Sequence, residues 1–254
     1  MTLEKYNVVI NADMGESFGI YKIGNDEEVM KYVTSANLAC GFHAGDSTVM
    51  RKTVKLAKKY NVAVGAHPGF QDLRGFGRRR LDITTEELQN DLLYQLGALE
   101  AFTKVEGVKM HHVSPHGMLD PLVSNEEEYT DVFIKTIKEY NPELIIIAES
   151  KSLLYKKAKI EGLRVYSVAF PDLKYDSEGN MIIERVKKLV NPIEVAKRAI
   201  SIVKDQKIKT IDGKKLRMQA DVLCFHGDAP NSIEILKEVR KKFEKERIIV
   251  TKFD

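Results

Sequence analysis

Short apolar runs recur along the chain, and each is followed by a polar loop and then by a segment whose apolar residues have helical spacing. Two of these runs, Leu144–Ala148 and Val222–Phe225, are continuously apolar, which is typical of parallel strands buried on both faces. We predict seven strands, at residues 6–10, 35–38, 62–65, 110–113, 144–148, 163–169 and 221–225.

The segments between these runs predict amphipathic helices. Asp46 or Ser47 can cap a helix that continues through residue 60, and the Thr84–Glu87 capping-box pattern opens another that continues through residue 102. Further helices are predicted at 125–140, 192–203 and 232–243. Strands that alternate with such helices indicate βα units with a parallel sheet. Seven units fit an irregular (β/α) barrel, and a doubly wound open sheet is the alternative.

Two segments depart from this alternation. Residues 208–218 carry Asp212-Gly213 between two short runs, which predicts a β-hairpin placed before the last barrel strand. The C-terminal segment 247–253 predicts an edge strand. Because no linker or low-complexity tract interrupts the pattern, we treat residues 1–254 as a single barrel domain.

Composition narrows the class of protein. The 254 residues are 43% hydrophobic and 30% charged, with a net charge of +3, which excludes disorder as the main state and gives no reason to expect nucleic-acid or membrane-surface binding. Two cysteines exclude a disulfide framework. The N-terminal residues lack the pattern of a signal peptide, and no apolar run approaches the length of a membrane span. We therefore expect a cytoplasmic protein.

Polar side chains with chemical potential follow the predicted strands. They are Asn11, Asp13 and Glu16 after the first, Asn37 and His43 after the second, His67 and Asp72 after the third, His116 after the fourth, and His226 and Asp228 after the seventh. The loops that follow parallel strands converge on one face of an α/β fold, so we expect these groups to share one cleft. A carboxylate there can serve as a general base or a metal ligand, and Asp228 can orient His226 for proton transfer. Simple capping of the barrel by polar loops is the structural alternative.

The loop after the third strand combines glycines with arginines. Gly75, Gly77, Arg78 and Arg79 offer the backbone N–H groups and guanidinium forks that bind phosphate or carboxylate, although an arginine cluster is also common on a solvated surface. No Walker A pattern occurs. Cys40 near His43 is a candidate nucleophile, but an inert buried thiol is the favoured interpretation. No HxH, HExxH or CxxC spacing marks a metal site, so the metal is left open.

Six longer motifs carry a family resemblance. In order they are NADMGESFG, TSANLACGFHAGD, GAHPGFQDLRGFGRR, YQLGALEAF, PHGML and FHGDAP, spanning about residues 11–230. They resemble the LamB/YcsF family, whose members act as the A subunit of an ATP-hydrolysing 5-oxoprolinase. The resemblance implies an irregular seven-stranded barrel of the glycoside hydrolase/deacetylase type. It also implies hydrolysis of 5-oxoproline to glutamate with ATP, together with Mg²⁺ and two partner subunits, B and C.

On these grounds we assign candidate roles. The catalytic candidates are Asp13, Glu16, His43, His67, His116 and His226. The candidates for substrate or nucleotide binding are Asn11, Asn37, Gly75, Gly77, Arg78, Arg79, Asp172 and Asp228. Two other functions stay open: a metal-dependent amide hydrolase or deacetylase, as the Asp and His inventory allows, and a non-catalytic partner within a complex.

The chain also departs from the pattern of the family it resembles. The family segment Val-Lys-Pro-His-Gly-Ala-Leu-Tyr-Asn corresponds here to residues 113–121, where Ser114 replaces the lysine and Asp120 the tyrosine. The family segment Phe-Ala-Asp-Arg-x-Tyr corresponds to residues 170–175, where Leu173 replaces the arginine. Two cations are thereby lost, and Lys174 can replace only one of them. Either the substrate differs or the positive charge comes from elsewhere in the chain.

Overall fold

The structure is a computed structural model that describes residues 6–184 and 186–254. Its strands are β1 (Tyr6–Met14), β2 (Ser35–Ala39), β3 (Ala63–His67), β4 (Met110–Val113), β5 (Ile145–Ala148), β6 (Val165–Ala169), β7 (Lys207–Lys209), β8 (Lys215–Arg217), β9 (Val222–His226) and β10 (Ile248–Thr251). Its helices are α1 (Asp26–Val29), α2 (Ser47–Tyr60), α3 (Thr85–Glu106), α4 (Leu119–Asn125), α5 (Glu127–Tyr140), α6 (Leu153–Ile160), α7 (Pro192–Asp205) and α8 (Ser232–Glu246).

Seven parallel strands close into a barrel. They pair in the order β1, β2, β3, β4, β5, β6, β9, and β9 pairs with β1 to complete the ring. The first half of β1 pairs on its other side with β10, whereas the second half pairs with β2. The prediction of an irregular seven-stranded barrel is confirmed, and the alternative of an open sheet is wrong. The predicted edge strand is confirmed as β10.

The local signals at the helix starts act as predicted. The Asp46 carboxylate accepts hydrogen bonds from the backbone N–H groups of Thr48 and Val49, and Thr84 and Glu87 form a reciprocal capping box. The predicted helix at 125–140 begins at Glu127, after the separate helix α4. The predicted hairpin is confirmed as the antiparallel pair of β7 and β8. Among the described residues, no helix is long and apolar enough to cross a bilayer.

The strands at the site extend further than predicted. Asn11 and Asp13 lie within β1, His67 ends β3 and His226 ends β9, so the expectation that they follow their strands is wrong. Asn37 also lies within β2 rather than after it, inside the range 35–38 already predicted as strand. The parallel register pairs Asp13 with Asn37 on one side and with His226 on the other. The reason for the error is that the apolar runs stop where the barrel interior becomes polar, while the backbone pairing continues.

A polar layer fills the carboxyl half of the barrel. Alternate strand positions point inward. The inward pairs are Asn11 and Asp13, Ser35 and Asn37, Gly65 and His67, His112 and Ser114, and Cys224 and His226. Most of these side chains are buried and hydrogen-bonded to one another, so the layer is a packed network rather than an aqueous channel.

Gly65 leaves room for the ring of His112 within this layer. A Cβ atom at Gly65 would lie 2.1 Å from His112 Nε2. That nitrogen lies 2.8 Å from Asn37 Oδ1, so a displaced ring would disturb the side chain that binds Asp13. A glycine is therefore required here by space.

We predict that Gly65→Ala lowers the free energy of unfolding by about 1–3 kcal/mol, because the methyl group overpacks the layer. Chemical denaturation measures the effect. The matched control is Gly97→Ala in α3, where no atom lies within 4 Å of the added Cβ. That control should be neutral or stabilising, by up to about 1 kcal/mol. Equal stabilities of the two variants would contradict the steric requirement at Gly65.

A buried carboxyl group lies just after β5. Burial, and then the nearby charge of Asp120, raises the pKa of Glu149 to about 7. Its Oε2 atom is buried without a hydrogen-bond partner among the described residues. Since the unfolded chain ionises this group near its ordinary pKa of 4.5, the folded state loses stability as the pH rises from about 4.5 to about 7.

We predict that Glu149→Gln removes this loss. The variant should exceed the native chain in unfolding free energy at pH 8, by up to about 3 kcal/mol, and the difference should shrink toward pH 4. Denaturation at a series of pH values measures it. The exposed Glu143→Gln serves as control and should show no such dependence. A pH-independent difference for Glu149→Gln would mean that the carboxyl group is not held neutral.

Candidate active site

A cavity opens at the carboxyl ends of the barrel strands. The space within it that the centre of a water molecule can occupy is about 40 Å³, so the cavity is a narrow cleft. The titratable side chains on its wall are Asp13, His67, Arg78, His116, Asp120, Lys187 and His226. The strands thus bring groups that are distant in sequence to one end of the barrel, as expected.

Asp13 lies at the centre of these groups. Its Oδ1 atom accepts a hydrogen bond from Asn37 Nδ2 at 2.9 Å and lies 3.4 Å from His67 Nε2, while Oδ2 lies 3.8 Å from His226 Nε2. Burial opposes the ionised form, but the charges of His67 and His226 and these hydrogen bonds hold the pKa of Asp13 well below its usual value. Asp13 is therefore a buried carboxylate anion.

A network beneath Asp13 fixes its orientation. The Oδ1 atom of Asn37 accepts from Asn11 Nδ2 at 3.0 Å and lies 2.8 Å from His112 Nε2, so the Asn37 amide must turn its NH₂ toward Asp13. Asn11 Nδ2 also donates to Ser35 Oγ at 2.7 Å. Burial lowers the pKa of His112 to about 3, so its ring is neutral. Asn11 and Asn37 therefore lie beneath Asp13 and hold its carboxylate in place, and neither side chain lines the cavity.

His67 and His116 face each other across the site. His67 Nδ1 donates to the Ser114 carbonyl at 2.6 Å, and His116 Nε2 donates to the Phe76 carbonyl at 2.9 Å. The two inner nitrogens, His67 Nε2 and His116 Nδ1, are 3.0 Å apart. Because a carbonyl oxygen can only accept, both outer nitrogens carry protons, and neutral rings would bring two lone pairs together. The contact therefore requires one further proton or a cation.

His226 is oriented by a carboxylate, but not by the one predicted. Its Nδ1 atom lies 3.1 Å from Asp172 Oδ2, and its backbone N–H donates to the same oxygen at 3.0 Å. The Nε2 atom is left facing the cavity. The sequence pointed to Asp228 as the partner, whereas Asp228 binds Arg78 at 2.8 Å. Burial opposes ionisation of Asp172, but the charge of His226 lowers the pKa of Asp172 below its usual value.

His43 and Glu16 form the deepest part of the cluster. His43 is fully buried, neither of its ring nitrogens has a hydrogen-bond partner among the described residues, and its ring stacks on that of His116 with centroids 3.7 Å apart. Glu16 Oε1 lies 3.9 Å from His43 Nε2. Burial lowers the pKa of His43 and raises that of Glu16, which the charge of Asp228 raises further. The buried ring of His43 thus lacks the hydrogen-bond partners that such groups normally have.

The same cluster has the donor chemistry of a metal site. One ligand atom each from Glu16, His43, His67 and His116 lies within 4.8 Å of all the others. Imidazole and carboxylate donors suit Zn²⁺ and similar ions, and a backbone carbonyl on the outer nitrogen is common support for a metal-binding histidine. However, the rings of His43 and His116 are parallel within 8°, and an imidazole ligates in its own plane. In this conformation the set fits an ion held by Glu16, His67 and only one of the two stacked rings.

The candidates for phosphate binding separate into two groups. Arg78 is nearly buried, lines the cavity, and lies over the ring of Phe76. Arg79 instead binds Asp72 and is 42% exposed, and the backbone N–H of Gly75 also donates to Asp72. Neither of these two lines the cavity.

Gly77 lies behind the histidines. A Cβ atom at this position would come within 2.9 Å of both His43 and His116. The residue therefore contributes close packing to the cluster rather than a surface of the cavity.

Both cysteines are buried thiols. Burial raises the pKa of Cys40 to about 12, and its Sγ atom donates to the Leu38 carbonyl at 3.2 Å. Cys224 donates to Asn11 Oδ1 at 3.2 Å, and burial also raises its pKa. These properties agree with the favoured interpretation of Cys40 as a buried, inert residue.

Several residues of the site were not assigned to it from the sequence. Period-two spacing is a sequence signal that could have identified His112 and Ser35. Each lies two residues from another inward-facing residue, Ser114 and Asn37 respectively. Lys187 carries none, because it lies in a lysine-containing loop without periodicity. Ser114, Asp120 and Leu173, where the chain departs from the family pattern, all line the cavity.

Comparison with known proteins places the chain in a family. The model of the LamB/YcsF family matches residues 8–254. A Thermococcus sibiricus protein named as the A subunit of 5-oxoprolinase is 48% identical over 241 residues, which is 94% of each chain. The solved structure of a lactam utilization protein from Thermus thermophilus is similar with a TM-score of 0.89 and 40% identity, over 97% of this chain and 100% of that one.

A family 4 carbohydrate esterase from Streptomyces lividans is similar in fold alone, with a TM-score of 0.53 and 8% identity, over 98% of this chain and 93% of that one. The prediction of a deacetylase-type barrel is thus confirmed. With a family match that runs through nearly its whole length and relatives at this level of identity, the chain belongs to the LamB/YcsF family.

Proposed function

We propose that the chain is the A subunit of an ATP-dependent 5-oxoprolinase, which hydrolyses 5-oxoproline to glutamate with two partner subunits. The relatives named for this subunit of 5-oxoprolinase support a 5-oxoproline-related hydrolase. The observation that carries the proposal is the ionised Asp13 between two imidazoles, on the wall of the cavity at the carboxyl ends of the barrel strands.

The reaction explains why ATP is needed. The lactam is an unactivated amide, and its ring opening is uphill near neutral pH. Transfer of the γ-phosphoryl group of ATP to the amide oxygen makes the ring carbon electrophilic. Attack by one water on that carbon and cleavage of the C–N bond give γ-glutamyl phosphate, and a second water hydrolyses its acyl phosphate bond to give glutamate and phosphate. The site must bind a small carboxylic acid, activate water and stabilise the charge that develops.

His226 is the best placed proton acceptor. Asp172 holds its Nδ1–H, so its Nε2 lone pair faces the cavity and can remove a proton from water. The Asp13 carboxylate is 3.8 Å from that nitrogen and stabilises the imidazolium that forms. Arg78 is the guanidinium on the cavity wall and the candidate for contact with a phosphoryl group.

We predict that Asp13→Asn and His226→Gln each reduce turnover by about 10²–10⁴-fold with the fold intact, because each removes one partner of the proton-transfer pair. The assay follows 5-oxoproline-dependent release of ADP and glutamate by the purified chain, with and without the presumed partner subunits. The control is Asp82→Asn, whose side chain is fully exposed. Full activity of either variant would remove that residue from the mechanism.

A metal-dependent amide hydrolase is the second candidate, and the cluster of Glu16, His43, His67 and His116 favours it. A divalent ion there would supply a Lewis acid or an activated water. The two candidate functions are distinguished by whether activity depends on nucleotide or on a metal ion. The first requires ATP for glutamate formation. The second gives glutamate without nucleotide, retains about one equivalent of Zn²⁺ or Mn²⁺ by elemental analysis of the purified protein, and loses activity on chelation.

A further inference from the structure

Lys187 reaches into the cavity from the loop between β6 and α7. It lines the cavity with Asp13 and His226, whereas its neighbours Val186 and Lys188 are exposed. The loop is anchored on both sides of Lys187. The Ile182 backbone N–H donates to the Lys174 carbonyl at 2.9 Å, and Asn231 Nδ2 donates to the Val190 carbonyl at 2.8 Å. The inward direction of this one lysine is therefore held by the fold.

The carboxylates around Lys187 already have other partners. Asp13 binds Asn37, Asp172 binds His226, and Asp228 binds Arg78. Within residues 6–184 and 186–254, the Lys187 ammonium forms no hydrogen bond and no ion pair. Burial lowers the pKa of Lys187, and Asp172, Asp228 and Asp13 counter this only from a distance. A largely buried ammonium without a contact partner is costly unless a ligand supplies one.

We propose that the Lys187 ammonium binds the carboxylate of the substrate in this cavity. The proposal rests on the proposed function, because 5-oxoproline carries its carboxylate on the carbon next to the ring nitrogen. The apolar side chains of Phe170, Leu173, Met181 and Ile183 line the same cavity and suit the methylene groups of the ring.

The charge distribution of the cavity favours this assignment. Arg78 is neutralised by Asp228, and Ser114 and Leu173 bring no charge to the wall. Lys187 is thus the cation on the cavity wall whose hydrogen-bonding capacity is unused within the described chain. It supplies from a loop the positive charge that the two uncharged positions lack.

The test compares two substrates and three variants in the enzyme assembled with its partner subunits. The substrates are 5-oxoproline and 2-pyrrolidinone, which has the same lactam without the carboxylate and is measured as a substrate or as a competitive inhibitor. The variants are Lys187→Met, Lys187→Arg and the control Lys188→Met, which removes the exposed neighbouring charge. Thermal unfolding of each variant verifies the fold.

We expect Lys187→Met to raise KM for 5-oxoproline about 10- to 100-fold, as loss of a charge-assisted hydrogen bond implies, with a smaller change in kcat. The KM or inhibition constant of 2-pyrrolidinone and the KM for ATP should not change. The preference for 5-oxoproline over 2-pyrrolidinone should therefore fall by the same factor. Lys187→Arg should recover part of the loss, and Lys188→Met should match the native enzyme.

The outcomes separate the two proposals. If the native assembly does not act on 5-oxoproline, the proposed function is refuted. If the native assembly acts on 5-oxoproline and Lys187→Met binds it equally well, only the assignment of Lys187 is refuted. A rise in KM for ATP in place of 5-oxoproline would also refute it, because Lys187 would then contact a phosphoryl group.

Discussion

The site depends on keeping one carboxylate ionised inside a closed barrel. Asp13 on β1 is 3% exposed, and an ionised group at that depth is stable only when donors and positive charge surround it. These come from other strands: Asn37 on β2, His67 on β3 and His226 on β9. The three strands approach β1 together only when the ring is closed, so closure of the barrel and ionisation of Asp13 support each other.

The order of the elements and one polar rim could be predicted from the sequence, because apolar runs and helical spacing report burial directly. The polar interior was harder to recognise. In β1 and β2 the inward residues alternate with small apolar ones, as Asn11 and Asp13 do around Ala12, and Ser35 and Asn37 around Ala36. This period of two is a strand signal in which the inward face is polar, so a search for apolar runs ends β1 too early, at residue 10.

Partner choice could not be predicted, because it depends on three-dimensional closure rather than on local pattern. His226 and Asp228 are two residues apart, and the sequence pairs them, but the strand end turns His226 toward Asp172, which is 54 residues away. Asp228 is then free to bind Arg78. The position of Lys187 was even harder to predict. Hydrogen bonds from its loop to two other segments set its direction, and the sequence around it has no periodic pattern that reports this.

The contact between His67 and His116 connects the two candidate chemistries. Because the carbonyl acceptors hold the protons of the outer nitrogens, both inner nitrogens direct lone pairs at one position, and the Asp13 carboxylate lies 3.4 Å from His67. A proton at that position satisfies both nitrogens without moving either ring. A metal ion bonded to both nitrogens at about 2.0–2.1 Å would lie to one side of the line that joins them, and their 3.0 Å separation is slightly shorter than the spacing of two ligands of a tetrahedral ion. The contact is thus compatible with a shared proton and with a bound ion, and the nucleotide and metal dependence of the activity decides between the two candidate functions.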